Sequence, residues 1–139
     1  MMAEIQIEVG AVRFTARFER EKSPQTCAAF ERLLPFRSRI IQARWSGEAA
    51  WVPLGDFDLG VGEETTTMTP APGEILFYPA GVSETEILFP YGQASFASKF
   101  GPLAGNHFLT VVDGADRLAD LGELVVWHGA QEIVFGRNA

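Results

Sequence analysis

The sequence is poor in the residues from which metal centres and disulfide scaffolds are made: 139 residues include one cysteine, Cys27, and two histidines, His107 and His128. A single cysteine forms no internal bridge, which excludes a disulfide-built secreted scaffold and fits a reducing cytoplasm. Two histidines without a second cysteine give no zinc spacing, so neither a metal nor a cofactor is expected. Long apolar runs are also missing. Residues 3–9 alternate apolar and polar, which predicts a strand rather than a signal peptide or a membrane span. Basic residues are outnumbered, 11 Lys and Arg against 18 Asp and Glu, and the net charge of -7 excludes general binding to nucleic acid or to an anionic membrane. No repeat, low-complexity tract or long linker divides the chain, so a single domain over residues 1–139 is expected.

What is present is strand periodicity. Val12, Phe14, Ala16 and Phe18 share one face while Arg13, Thr15 and Arg17 share the other. Gly10 makes this run a hairpin with the first strand. Ser23 followed by Pro24 opens a helix whose apolar stripe is Cys27, Phe30, Leu33 and Leu34, with Pro35 as its stop. Further strands are expected over residues 39–45, 50–54, 74–78, 86–89, 107–112, 123–127 and 132–135, with a short helix over 115–121. The fold class is therefore mainly β, a closed or nearly closed barrel of about eight strands with two short helices, because closure removes the exposed edges of so much sheet.

Several segments carry a family likeness. Pro24, Thr26, Phe30 and Leu33 resemble the helix opening of cyclophilins, and Gly101-Pro102 leading into His107-Phe108 is similar to their Gly-Pro loop. Arg44 precedes Gly55-Asp56-Phe57 at nearly the family spacing, and Ile133-Val134-Phe135-Gly136 resembles the closing strand. Pro72-Gly73-Glu74 through Tyr78-Pro79-Ala80-Gly81 is similar to a segment of small bacterial cyclophilin-like proteins of unestablished function. The resemblance implies the cyclophilin-like barrel. It also implies that Arg44 stands where the family's groove arginine hydrogen-bonds a proline nitrogen while the imide twists, a barrier of about 18–20 kcal/mol. Ala97 matches the family groove. Leu109 stands in place of a second pocket phenylalanine, Ala50 and Trp51 in place of a phenylalanine and a methionine, Pro53 in place of a glutamine, Ser98 in place of an asparagine and Glu132 in place of a histidine. Trp127 is a candidate for the groove tryptophan.

The candidate site is a groove centred on Arg44. His107, opening a strand after Gly105 and Asn106, is the acid, base or polar anchor expected to share it. Glu48 is expected to orient Arg44 across a turn at Ser46 and Gly47. Trp51, Tyr78, Ala97, Asn106 and Leu109 complete the binding set. Glu84 and Glu86 share a strand face as a solvated pair, Asp56 and Asp58 read as turn residues, and Cys27 reads as a buried thiol. Two functions follow. One is binding of a small anionic metabolite at Arg44. The other is peptidyl-prolyl isomerisation in a remodelled pocket, with a short peptide as substrate. A homo-oligomer built on exposed aromatics is a third expectation.

Overall fold

The structure is a computed structural model and describes residues 2–138. Strands β1 (Glu4–Val9) and β2 (Val12–Phe18) form a hairpin, and helix α1 (Pro24–Glu31) follows. Next come β3 (Phe36–Gln42), β4 (Gly47–Gly55), β5 (Thr66–Thr67), β6 (Glu74–Tyr78), β7 (Thr85–Ala94), β8 (Ala97–Ser98), β9 (Gly101–Pro102) and β10 (Gly105–Asp113). A 3-10 turn (Ala115–Arg117), helix α2 (Leu118–Trp127) and β11 (Gln131–Arg137) complete the chain. The first hairpin turns where Val9 faces Val12, with Gly10 at φ +57, a left-handed value that glycine adopts without a Cβ penalty.

Eight strands lie in the order β2-β1-β11-β3-β4-β7-β6-β10, and β10 pairs back with β2, so the sheet closes into an antiparallel barrel. The short β5 is an addition to β10. This is the mainly β, eight-stranded barrel with two helices that the periodicity predicts. Inward-facing Ile5, Ile7, Phe14, Phe77, Phe89, Phe108, Ile133 and Phe135 fill it. Phe30 of α1 meets Phe108 and Phe135 edge-on, each at 5.2 Å between ring centroids. Such pairs contribute about 0.5–1.5 kcal/mol each beyond area burial. Among the described residues no helix is long and apolar enough to cross a membrane.

Two elements differ from expectation. Residues 123–127 are the second half of α2, because Leu118, Leu121, Gly122 and Val125 are buried at helical spacing; the local alternation there reflects no sheet. The strand expected over 39–45 runs instead from Phe36 to Gln42, which moves Arg44 and Trp45 off the strand and into the turn before β4. Helix α1 ends at Glu31, ahead of Pro35.

Candidate functional site

Strand β7 is buried continuously from Thr85 to Pro90, although only alternate residues can face the barrel interior. Ile87 and Phe89 do so. Leu88 and Glu86 point to the outer face, where Leu88 packs with Ala49, Leu76, Tyr78, Phe96 and Leu103 in a second apolar layer. This layer exists because the segment after β7 folds back over the barrel. Phe96 N donates to Met68 O at 2.7 Å, Leu103 N to Phe96 O at 3.0 Å, and Ala97 N to Ser46 Oγ at 3.1 Å. The last bond ties the fold-back to the turn that carries Arg44.

Where the fold-back stops, the outer face opens as a cleft of about 510 Å³. Trp51 lines it from β4, Arg44 and Trp45 from the preceding turn, Glu84 and Glu86 from the start of β7, and Ala97, Lys99 and Phe100 from the β8–β9 hairpin. The Arg44 guanidinium lies 5.2 Å from the Trp45 ring centroid and Lys99 Nζ 5.1 Å from that of Phe100. Neither cation is in an ion pair among the described residues. Both remain available to an anion.

Glu86 is the opposite case. Its register partners are Pro53 on β4 and Tyr78 on β6, it is only 5% exposed, and its carboxyl makes no hydrogen bond among the described residues. Glu86 lines the cleft, and among the described residues neither of its carboxyl oxygens is fully sealed from solvent. Burial first, and the neighbouring Glu84 second, push its pKa up to about 8. The site therefore favours the neutral acid over the carboxylate. Tyr78 Oη accepts from Val82 N at 2.9 Å and braces the loop that carries Val82, Ser83 and Glu84 along the rim.

The cleft thus gathers Arg44, Trp51 and Ala97, with Tyr78 behind it. His107 lies elsewhere. Its Nδ1 sits 3.3 Å from Lys22 Nζ and its Nε2 2.7 Å from Thr110 Oγ1, whose hydroxyl donates to Glu19. Burial and then Lys22 hold its pKa below the ordinary value, so the neutral ring with Nε2–H satisfies the whole chain of bonds. Asn106 is a buried bracket: its Oδ1 accepts from Glu64 N at 2.7 Å and its Nδ2 donates to Gly62 O at 2.9 Å. Leu109 is fully buried in the barrel. Glu48 accepts from Gln93 N at 2.9 Å and makes no pair with Arg44, because Arg44 leaves the strand early and stacks on Trp45. Trp127, at 72% exposed on the end of α2, lies outside the cleft. Among the described residues no group of three or more His, Cys, Asp or Glu side chains is placed to hold a metal ion. Cys27 is buried, and burial pushes its thiol up to about 12.

The family model described as "Protein of unknown function (DUF3830)" matches residues 5–136, nearly the whole chain. The chain belongs to the DUF3830 family. No curated protein matches. This DUF3830 chain is similar in fold to McbB, solved in complex with tryptophan, at 22% identity and a TM-score of 0.75; the match covers 97% of the chain but 45% of McbB. The chain thus spans less than half the length of that neighbour. It is also similar to the hypothetical protein AF2241 from Archaeoglobus fulgidus, at 17% identity and a TM-score of 0.64, over 98% of the chain and 95% of AF2241.

Lys99 and Phe100 of this DUF3830 protein escape a reading of the sequence, and Glu86 reads there only as half of a solvated pair. For Glu86 a signal exists. It is the one charge in the run Thr85-Glu86-Ile87-Leu88-Phe89-Pro90, and on its inner side along the strand it shares a face with Leu88. Lys99 and Phe100 acquire meaning only from the fold-back, which no local pattern announces.

Proposed function

We propose that this protein binds a small carboxylate-bearing molecule in the outer-face cleft, with the carboxylate on Arg44 and Lys99 and the apolar body against Trp51 and Phe100. The observation that carries the reading is a pair of cations, free of ion pairs among the described residues, at the rim of an apolar concavity. Charge-assisted hydrogen bonds to a carboxylate are about twice as strong as neutral ones, and small-molecule clefts run roughly 300–1,000 Å³, a range that includes this one. McbB, which shares the barrel, is described in complex with tryptophan, itself a carboxylate with an apolar ring; that chemistry supports the reading.

The second reading is prolyl isomerisation in a cyclophilin-like groove. It is favoured by the meeting of Arg44, Trp51 and Ala97, each placed by the cyclophilin resemblance, in one cleft. Arg44 would then donate to the imide nitrogen as resonance is lost, and each roughly 1.4 kcal/mol of differential stabilisation would speed exchange tenfold.

Thermal unfolding separates the two. Hexanoate, indole-3-propionate and tryptophan raise the melting temperature of the wild type in proportion to log concentration, since a ligand of the native state stabilises by about 2.7 kcal/mol at a hundredfold excess over Kd. Arg44→Ala removes most of that rise. A melting temperature unmoved by every carboxylate, together with acceleration of proline-peptide exchange by wild type and not by Arg44→Ala, would replace the first reading by the second.

A further inference from the structure

The cleft has an acidic end as well as a basic one. Glu86 is more than nine-tenths buried, lines the cleft and makes no hydrogen bond among the described residues, while Ser46, the other buried polar side chain lining it, finds a partner. Ser46 Oγ donates to Ala97 O and accepts from Ala97 N. A carboxyl in that position is costly to desolvate and gains nothing from the fold. What it lacks is a donor, and the open cleft is where one would arrive.

The sheet register sets the geometry. Ala43 N donates to Ala49 O beside the Arg44 turn, Trp51 stands two residues further along β4, and Pro53, the partner of Glu86, two beyond that. Four residues of strand span roughly 13 Å, part of which the long Arg44 side chain covers. The order along the cleft is therefore cation, apolar wall, acid.

Resting on the carboxylate-binding reading above, we propose that the ligand is an elongated amine-bearing carboxylate, its carboxylate at Arg44 and Lys99, its apolar middle over Trp51 and its ammonium group on Glu86 with Glu84 beside it. The titratable groups beside Glu86 are Glu84 ahead of it on the chain and Tyr78 on β6, while Arg44 from the turn and Lys99 from the hairpin line the same cleft; β4 presents the uncharged Pro53 and Trp51. Glu84 alone among these raises the proton affinity of Glu86, and an arriving ammonium reverses its effect. Because the empty site holds a proton at neutral pH, binding converts the carboxylic acid to carboxylate and releases that proton to solvent. The ammonium keeps its own.

The test is calorimetric titration of the intact protein with 6-aminohexanoate, hexanoate and hexylamine, in buffers that differ in ionisation enthalpy. The expected result for 6-aminohexanoate at neutral pH is release of close to one proton, with affinity rising about tenfold per pH unit until Glu86 in the empty site is itself ionised. Hexanoate binds more weakly and releases none. Glu86→Gln, which places a neutral amide where a neutral acid stood, abolishes the release and the pH slope. Equal binding of 6-aminohexanoate and hexanoate without proton release would overturn the ammonium site while leaving the carboxylate site intact. Hexylamine binding with proton release, when hexanoate does not bind, would support the ammonium site and remove the carboxylate reading. Failure of all three to bind would overturn both.

Discussion

Glu84 and Glu86 are alike in chemistry, two residues apart and on the same face, yet one is exposed and the other is 5% exposed. The difference arises where Pro53 and Tyr78 flank Glu86 and the chain folds back nearby. Glu86 consequently takes up a proton on folding. Between the ordinary carboxyl pKa of 4.5 and about 8 the folded chain holds a proton that the unfolded chain releases. Stability therefore falls as pH rises through that window and is level above it. Glu86→Gln removes this slope and gains on the order of a few kcal/mol above about pH 8. Urea midpoints of both proteins at about pH 6 and pH 9 check it. A wild type and variant with parallel pH dependence would contradict the buried neutral acid. His107 works with the opposite sign: its pKa is held below the ordinary 6.5, so its contribution is lost as pH falls, and only below that value.

At the scale of elements, α2 shows how tertiary contact overrides propensity. Gly122 lies inside this helix, where alanine would ordinarily be better by about 1 kcal/mol. A Cβ on Gly122 would stand 2.5 Å from the Tyr91 ring, and Tyr91 Oη donates to Gln42 Oε1 at 2.6 Å, at the edge of the cleft. The ring must move, and overpacking of this kind costs about 1–3 kcal/mol. Gly122→Ala is expected to lower stability rather than raise it and to weaken ligand binding through Gln42; a melting temperature above wild type would contradict this packing. The same helix was half legible in the sequence. Leu118 and Leu121 announce it, but Glu123-Leu124-Val125-Val126-Trp127 reads as strand because β-branched and aromatic residues dominate there. Its burial pattern, known only in the fold, decides for helix. For β3 the expected strand overran into Ala43, Arg44 and Trp45, and that shift undoes the expected pairing of Arg44 with Glu48.

For the whole molecule, the closed barrel was legible because period-2 alternation is a local signal, clearest in β1 and β2, and closure follows from the need to leave no edge. The candidate cleft was legible only in part. Arg44, Trp51 and Ala97 fall in the cleft, whereas His107 and Asn106, predicted to join them, are held by Lys22, Thr110, Thr26 and Glu64 elsewhere on the barrel. Which loop folds over which sheet face is a long-range fact that alternation does not encode. The fold-back of residues 94–104 makes the outer face of β4, β7 and β6 a second core, and its hairpin tip brings Lys99 and Phe100 to the cleft beside Arg44. The most direct test of this account is two-dimensional amide NMR during titration with hexanoate, on wild type and on the Arg44→Ala/Lys99→Ala double variant. The account predicts shifts concentrated at residues 42–46, 51, 82–86 and 97–100 in wild type and their loss in the double variant. Shifts centred on His107, Lys22 and Glu19, or undiminished in the double variant, would contradict it.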